Sequence, residues 1–400
     1  MERFTKSFTR QEPIPEDAID AAVAVMRGGA LHRYGADPSQ AAALEIEFAA
    51  SVGAAHGLAV ASGGYALGCA LRALDVGPGD PVLTNGWTLA PVPGAIAAVG
   101  ARPVLVEVTE DLIIDLDDLA AKIGQAKVLM LSHMRGHLCD MERLMAICDA
   151  AGVAVVEDCA HTMGAAWNGV PSGRWGAIGC FSTQTYKHVN SGEGGLIVTD
   201  DPDLAARMIL LSGSYMLYDR NGTAPDDAVF DRHAGRMPNV SGRMDELRAA
   251  ILRPQVRNLE TQVERWNDRY RALESAFRDA RGLATVPRPQ AERYVGSSIQ
   301  VLADRPDRVP AFLAACAAQG VEWKWFGAEA AQGFTSAHRH WGYIVAQALP
   351  RTDAVLSRLL DMRVPLTFDL DDCATIGRIV RDVADATGMH ERISSHARKL

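Results

Sequence analysis

Apolar residues recur along the first 210 residues in two alternating patterns. Residues 15–28, 40–52 and 140–152 carry them at helical spacing, whereas residues 57–61 and 81–85 are short apolar runs of the strand type. Further strand runs follow at 101–108, 127–133, 153–159, 178–182 and 196–199. Apolar strands separated by helices are typical of a parallel sheet that is covered on both faces. The pattern therefore predicts an α/β fold.

A different pattern begins at Asp245. From there to about Ala280, apolar residues recur at steps of mostly three or four, which predicts one long amphipathic helix with a kink near Pro254. After it the chain returns to shorter strand and helix patterns. We therefore expect a large domain over residues 1–250, with an N-terminal helical segment, and a smaller C-terminal α+β domain over 251–400. The helix at about 245–280 would join them.

The composition is that of a globular protein and excludes several classes. Of 400 residues, 48% are hydrophobic and 22% charged, and the apolar runs fall short of the ~18 residues that span a membrane. The net charge of −9 gives no electrostatic reason to expect nucleic acid as a partner. Seven scattered cysteines without a C-x-x-C pair indicate neither disulfides nor a metal site. Six have apolar surroundings, and Cys139 falls in a polar stretch. The N-terminus has no signal-peptide pattern, so we expect a cytoplasmic protein.

Three polar features follow strands of the predicted sheet. Ser62-Gly63-Gly64 follows the first strand, Asp158 ends the strand VAVVED, and Lys187 lies in the polar loop after Ser182. The carboxyl ends of parallel strands commonly carry ligand groups, so these residues could converge. Each also has a purely structural interpretation: a turn with an N-cap, a helix cap, and a solvated lysine.

Several motifs in order resemble one family, the DegT/DnrJ/EryC1/StrS family of pyridoxal-phosphate-dependent aminotransferases. These are ASGGYALGCALRALDVGPGD, GARPVLVEV, SHMRGHLCDM, VEDCAHTMGA, GCFSTQTYKHVNSGEGGLIVTDD, SGRMDELRAA and LPRTDAVLSRLLDMRVPL. The resemblance covers nearly the whole chain. It implies the PLP-dependent transferase fold type I, with a mostly parallel seven-stranded sheet between helices.

The resemblance also implies two catalytic roles. Lys187 would form the Schiff base with the aldehyde of pyridoxal 5'-phosphate and would later move protons between cofactor and substrate carbons. Asp158 would lie against the pyridine nitrogen, where a carboxylate keeps the ring protonated. In the course of the reaction the cofactor would alternate with pyridoxamine phosphate.

Further residues would hold the cofactor by the same resemblance. Ser62, Gly63, Gly64 and Ser182 would surround its phosphate, although Gly64 replaces the usual threonine and so removes one side-chain donor. Trp87 would stack on the ring, with core packing as the alternative. His161 would face the ring or its 3-hydroxyl, with a structural histidine as the alternative.

The family's active sites are shared between two subunits, so the resemblance implies a homodimer. An asparagine before Arg-Met reaches the partner's phosphate in the family. Here Ser241 stands in that slot, and Asn239 lies two residues earlier. Either could make the contact.

The substrate residues are less defined. Arg33 and Tyr34 follow the first helix, Arg135 replaces a common aromatic, His188 adjoins Lys187, and Lys324 lies in a cationic and aromatic stretch. A carboxylate, phosphate or polyol could be held by such residues, and a solvated basic face is the alternative.

The leading interpretation is an aminotransferase that moves an amino group from an amino acid to a carbonyl compound. Glutamate or glutamine would be the donor, and the acceptor would be a keto or aldehyde group of a sugar, a cyclitol or another polar biosynthetic intermediate. No nucleic acid, membrane or metal is expected. One alternative is a dehydratase or lyase of the same fold, although family dehydratases typically have histidine in place of Lys187. Another is a non-catalytic cofactor-binding regulator.

Overall fold

The computed structural model describes residues 3–390. Its helices are α1 (Glu16–Gly28), α2 (Gln40–Val52), α3 (Gly63–Ala73), α4 (Pro91–Ala98), α5 (Leu116–Lys122), α6 (Met141–Ala151), α7 (Pro202–Ser212), α8 (Asp227–His233), α9 (Glu246–Arg257), α10 (Leu259–Phe277), α11 (Val309–Ala318), α12 (Pro350–Arg358) and α13 (Leu370–Thr387). Its strands are β1 (His56–Val60), β2 (Pro81–Asn85), β3 (Arg102–Val106), β4 (Val128–Ser132), β5 (Ala154–Asp158), β6 (Ala166–Trp167), β7 (Val170–Pro171), β8 (Ile178–Ser182), β9 (Gly195–Thr199), β10 (Leu283–Thr285), β11 (Glu292–Arg293), β12 (Ser298–Ala303), β13 (Lys324–Trp325) and β14 (Leu359–Arg363).

The predicted helices of the first half are confirmed, and their ends have local causes. Ser62 caps α3 by accepting a hydrogen bond from the Tyr65 amide, and Asp140 caps α6 in the same way. Gly152 ends α6 at φ 65°, in the left-handed region where glycine carries no steric cost.

A seven-stranded sheet forms the centre of the fold, as predicted. Its strand order is β1-β9-β8-β5-β4-β2-β3, and β9 alone runs antiparallel to its neighbours. Residues of α3, α4 and α7 cover one face, whereas α5, α6 and part of α10 cover the other. The strands are therefore buried on both sides, which explains their continuous apolar runs. Parallel pairing of β4 with β5 sets Ser132 beside Asp158 at their carboxyl ends.

A second, four-stranded antiparallel sheet has the order β10-β12-β14-β13 and its own apolar core. Helices α10, α11 and α13 contribute to that core, and so do Phe4 and Phe8 from the start of the chain. The rings of Phe4 and Phe8 meet Phe368 edge to face at 5.1 and 4.9 Å. The start of the chain thus packs with the C-terminal part. The domain division at residue 250 stays a prediction.

The long helix expected from Asp245 to Ala280 is instead two helices, α9 and α10, that meet at Asn258. Pro254 lies inside α9 and has no amide hydrogen to donate. Asn258 adopts φ −100° and ψ 7°, outside the helical region, while its amide bonds to the carbonyl of Pro254 at 3.2 Å. The break therefore falls one turn after the proline.

Cys139 differs from its expected polar setting. It is 2% exposed, and its sulfur lies 3.6 Å from that of Met141. The neighbouring Asp140 takes the polar position as N-cap of α6, which leaves Cys139 to pack inward with Leu138. Between residues 3 and 390, no helix combines the length and the hydropathy needed to cross a membrane.

Candidate active site

A cavity of about 510 Å³ opens at the carboxyl ends of the central strands. Predicted site residues from five separate segments line it: Ser62, Gly63 and Gly64 after β1, Arg135 after β4, Asp158 and His161 after β5, Ser182 at the end of β8, and Lys187 in the loop beyond. The structure therefore brings together residues that lie up to 125 positions apart in the sequence (62 to 187).

One end of this cavity is an N-terminal helix turn with open backbone amides. The first amides of α3 have no hydrogen-bond partner within the helix. Of these, the Tyr65 amide donates to the side chain of Ser62, at 3.0 Å from Oγ. Gly63 lies against Ser182, since a Cβ at Gly63 would be 2.8 Å from the Ser182 Cβ. Gly64 is open, with only the Ser62 hydroxyl at 4.0 Å from such a Cβ. Amides, two hydroxyls and the helix dipole can together hold an anion.

Lys187 places its amine in the cavity. Burial, reinforced by the nearby cations Arg135, Arg363 and Lys324, lowers the pKa of its amine to about 7, although the Asp158 carboxylate opposes the shift. The amine nitrogen lies 2.9 Å from Nε2 of His161. With this pKa a substantial fraction of the lysine is neutral near pH 7, and a neutral amine has the lone pair with which to attack a carbonyl carbon.

His161 is held so that it can donate to this amine. Its Nδ1 atom accepts a hydrogen bond of 3.3 Å from the Arg135 amide, which leaves the proton of the neutral ring on Nε2. Burial, together with the positive charge of Lys187, lowers the pKa of His161 well below its usual value. The geometry therefore favours a neutral imidazole that donates to a neutral amine.

Asp158 ends β5 with its carboxylate in the cavity. Its oxygens accept hydrogen bonds from the Ala160 amide at 3.1 Å and from Ser132 Oγ at 3.3 Å. Burial raises the pKa of this carboxyl, whereas Lys187 and these donors act in the opposite direction. A partner that brings a positive N–H group into the cavity would favour its ionised form.

The residue before it, Glu157, points to the other side of the strand and fixes the backbone there. Its carboxylate accepts from the amides of Gly173, Trp175 and Gly176 at 2.8–2.9 Å and contacts His133 Nε2 at 2.9 Å. His133, Glu157 and Cys159 could geometrically surround a metal ion. Because the glutamate oxygens are already used by four donors, the cluster acts as a support for β5.

Trp87 lies outside the cavity wall. It is buried in an apolar cluster with Met134, and its ring meets Phe326 edge to face at 5.5 Å. Core packing, the alternative left open by the sequence, suits this position, and stacking on the cofactor ring stays a prediction.

Arg33 and Tyr34 are also remote from the cavity. Arg33 is 2% exposed and forms an ion pair of 2.6 Å with Glu45 and a hydrogen bond of 2.8 Å with Asn221. Its guanidinium lies 5.5 Å from the centre of the Tyr34 ring. This arrangement gives Arg33 a structural role in its own subunit, and a contact with substrate stays a prediction.

His188 does not line the cavity, although it adjoins Lys187 in the chain. Its Nε2 lies 3.0 Å from Ser297 Oγ, and its ring packs on Trp266 at 5.1 Å. Burial and the neighbouring Lys187 lower its pKa to about 3. Lys324 is placed behind the cavity wall, 3.7 Å from Asp361.

Asn239 and Ser241 are exposed and do not line the cavity of their own subunit. Ser241 adopts φ 52°, and its amide donates to Asn239 Oδ1 at 3.0 Å. Nearby Arg243 donates to the Gly213 carbonyl at 2.9 Å and lies over the Tyr215 ring. The segment is thus a fixed surface turn.

Arg363 and Tyr186 line the cavity and were not singled out in the sequence. The guanidinium of Arg363 lies 3.7 Å above the centre of the Tyr186 ring. The strand pattern LLDMR could have identified Arg363, because Asp361 and Arg363 fall on one face of β14 while Leu360 and Met362 enter the core.

Three comparisons relate the chain to known proteins. The model of the DegT/DnrJ/EryC1/StrS aminotransferase family matches residues 13–381. The chain is similar to UDP-N-acetyl-3-dehydro-alpha-D-glucosamine 3-aminotransferase of Acidithiobacillus ferrooxidans, at 35% identity over 55% of this chain and 57% of that protein, less than two thirds of its length. It is also similar to the pleiotropic regulatory protein of Geobacillus stearothermophilus, at 32% identity over 68% of this chain and 70% of that protein.

Among solved structures, that of 3-amino-5-hydroxybenzoic acid (AHBA) synthase is similar over 95% of this chain and 99% of that chain. The TM-score is 0.81 and the identity 25%.

Proposed function

The chain belongs to the DegT/DnrJ/EryC1/StrS aminotransferase family, and we propose that it is a pyridoxal-phosphate-dependent aminotransferase. It moves an amino group from an amino acid, glutamate or glutamine, to a keto or aldehyde group of a sugar, a cyclitol or another polar biosynthetic intermediate. The observation that carries this proposal is the buried amine of Lys187, which shares one cavity with Asp158 and an anion-binding helix turn.

Three features of the cavity fit the cofactor. The turn at Ser62, Gly63 and Gly64, with Ser182, offers amides and hydroxyls to a phosphate. Asp158 offers a carboxylate to a protonated ring nitrogen, and Lys187 offers an amine to an aldehyde. Pyridoxal phosphate, when bound, supplies a carbonyl that takes up amino groups and a ring that accepts negative charge.

Three residues of the chain, Lys187, His161 and Asp158, then have separate roles. Lys187 would hold the cofactor through its neutral amine, and the same Nζ atom would take and return a proton during the reaction. His161 would hold that amine in place through the 2.9 Å contact. Asp158, buried and hydrogen-bonded to Ser132, stays in place to hold a proton on the ring nitrogen.

The substrate class is supported by one relative's name. The Acidithiobacillus protein is named for the amination of a nucleotide-linked keto sugar. A cavity of about 510 Å³ can accommodate a cofactor together with a small polyol. We therefore place sugars and cyclitols first among the acceptors.

We further propose a homodimer whose subunits share their active sites. The turn containing Asn239 and Ser241 is exposed, and the neighbouring Tyr215, Met216 and Val240 expose 57%, 80% and 43% of their surface. Apolar groups at this density suit a contact with a second copy. Sedimentation velocity of the holoprotein should give twice the chain mass, and a single chain mass would contradict the dimer.

A cytoplasmic location is proposed as well. All seven cysteines are buried free thiols, which suits a reducing compartment.

The test of the activity uses the holoprotein and glutamate in a single half-reaction. Absorbance should change from the pyridoxal to the pyridoxamine form. Borohydride reduction before donor addition should attach the cofactor to Lys187, as located by peptide mapping. The Asp158→Asn variant should bind cofactor and slow the half-reaction by ~100-fold or more, because the ring nitrogen loses its anionic partner.

The outcomes separate the candidate functions. A label on another residue, or none, would refute the assignment of Lys187. Labelled Lys187 with no conversion by any amino donor would favour a lyase or a regulator over an aminotransferase.

A further inference from the structure

Lys187 lines two cavities of the structure. Besides the large cavity at the carboxyl ends of the central strands, it lines a smaller one of about 70 Å³, together with residues of α9, of α10 and of the segment 11–15. Pro13 and Pro15 in that segment are exposed, so the small cavity reaches the surface just before α1. A space of this size has room for a few water molecules.

One hydrogen bond joins the walls of the two cavities. Ser297 lines the large cavity, whereas His188 lines the small one. The Nε2 atom of His188 lies 3.0 Å from Ser297 Oγ. A polar group that faces the reaction cavity is therefore in direct contact with a polar group that faces the small cavity.

The other ring nitrogen of His188 has no protein partner. The Nδ1 atom is buried and forms no hydrogen bond with any described residue, and His188 is only 6% exposed. A buried polar atom without a partner is costly, and ordered water commonly satisfies such atoms. The small cavity offers space for that water beside the ring.

The His188 ring is fixed by packing and is uncharged near neutral pH. It meets Trp266 edge to face at 5.1 Å, and Trp266 also lines the small cavity. Burial and the neighbouring Lys187 lower the pKa of His188 to about 3, so the ring is neutral near pH 7. A neutral imidazole can receive a proton at one nitrogen while it releases a proton from the other.

We propose that Ser297 and His188 form a proton path from the reaction cavity to solvent. The inference rests on the proposed aminotransferase function, in which Lys187 takes a proton from the substrate. That proton passes through a water molecule of the reaction cavity to Ser297 Oγ, while Ser297 gives its own hydroxyl proton to His188 Nε2. His188 releases its Nδ1 proton to water in the small cavity, and the reverse sequence returns a proton from solvent. Each group gives one proton as it receives one, so neither side chain is left charged.

This path has a use because the substrate itself blocks the large cavity. A substrate bound there excludes bulk water from the Lys187 amine. The small cavity gives the amine a separate connection to solvent, by way of His188. His188 is thus an auxiliary residue rather than a catalytic one, since it acts on the reaction only through Lys187.

The first experiment follows a deuterium label from the donor. The holoprotein, in excess, reacts with glutamate deuterated at its α-carbon in ordinary water, and mass spectrometry measures the deuterium retained in pyridoxamine phosphate. The unaltered protein should lose most of the label to water. His188→Gln and Ser297→Ala should each retain about three-fold more, because the proton on the lysine no longer reaches solvent. His233→Gln, at a half-buried histidine that lines neither cavity, is the matched control and should retain no more than the unaltered protein.

The second experiment uses the apoprotein and does not depend on turnover. In protein with isotopically labelled histidine, NMR measures how fast the ring N–H of His188 exchanges with water, which should be rapid despite the burial of the ring. Ile14→Trp adds bulk at the small cavity and should slow this exchange about ten-fold or more. Ile19→Trp, at an exposed position of α1, is the control and should leave it unchanged.

The outcomes separate the proton path from the activity. Equal label retention by His188→Gln, Ser297→Ala and the unaltered protein would overturn the path, and so would His188 exchange that Ile14→Trp leaves as it was. Retention is a ratio, so a general loss of activity in a variant does not imitate the effect. No conversion of glutamate by the unaltered protein would instead count against the proposed function, while the apoprotein experiment would still decide on the path.

Discussion

The side chains of Lys187 and His161 form a partly buried pair, with Nζ and Nε2 2.9 Å apart. Each group lies in surroundings that disfavour its charged form, since burial lowers the pKa of both. The Arg135 amide fixes the histidine proton on Nε2 by donating to Nδ1. The pair therefore holds an uncharged amine beside a neutral imidazole, and the amine must release the histidine proton before it attacks a carbonyl carbon.

This arrangement predicts how cofactor uptake by the apoprotein depends on pH. Below about 7 the lysine is mainly protonated and has no lone pair, whereas above about 7 it is neutral, so the uptake rate should rise through this pH and then level off. Burial is the main cause of the lowered pKa of Lys187, and the neighbouring cations, Arg363 among them, lower it further. Arg363→Gln should therefore move the midpoint upward by about half to one pH unit.

The measurement is the initial rate of absorbance change at several pH values, with the cofactor held constant. Titration of the cofactor itself is the same in every variant and cancels in the comparison. Arg102→Gln, at an exposed position at the start of β3, serves as the matched control and should leave the midpoint where it is in the unaltered protein. A midpoint near 10 in the unaltered protein would contradict the lowered pKa of Lys187.

Two adjacent glycines predict opposite effects on cofactor affinity. A methyl group at Gly63 would lie 2.8 Å from the Ser182 Cβ, so Gly63→Ala should push apart the two segments that hold the phosphate. Gly64 has open space, and the family's usual residue there is threonine. Gly64→Thr should add a hydroxyl donor and tighten binding by about 0.5–1.5 kcal/mol, or two- to ten-fold.

Equilibrium binding of pyridoxal phosphate to the apoproteins tests this pair. Gly63→Ala should weaken binding at least ten-fold, and Gly64→Ala is the control that adds a methyl group without a donor. If Gly64→Thr and Gly64→Ala bind equally, the added hydroxyl does not reach the phosphate. If Gly63→Ala binds normally, the phosphate does not lie at this turn.

The central sheet and its neighbouring helices could be predicted because their cause is local. Runs such as residues 128–131 are apolar throughout, since both faces of the sheet are covered. Caps such as Asp140 and Gly152 mark the helix ends in the sequence. The break at Asn258 could not be predicted from the sequence, because a proline inside a helix does not specify at which residue the helix stops.

The site was predicted in part for the same reason. Asp158 and Lys187 follow strands of one sheet, so topology alone brings them near each other. Arg363 was not singled out, because β14 belongs to the second sheet and Arg363 reaches this cavity only through tertiary packing. Arg33 is the opposite case. An arginine after a helix could bind a substrate, and only the fold reveals that it pairs with the buried Glu45.

Because Arg33 pairs with Glu45, a substitution of Arg33 tests whether this arginine stabilises the fold or binds substrate. Glu45 also accepts from the amides of Ala59 and Gly222 at 2.8 and 2.9 Å, so it ties α2 to β1 and to the loop after α7. Arg33→Met would leave its carboxylate buried without a cation. We expect the free energy of unfolding to fall by about 3–5 kcal/mol, while the glutamate half-reaction of the folded protein stays unchanged.

Urea denaturation of the apoprotein measures the first effect and single-turnover absorbance the second. Arg143→Met removes the arginine of an exposed ion pair with Asp117 and should cost at most about 1 kcal/mol. Arg33→Met combined with Glu45→Gln should regain part of the loss, because no unpaired charge remains buried. A slower half-reaction with normal stability would return Arg33 to the substrate site, since a lost ion pair in the core destabilises the fold before it alters the chemistry.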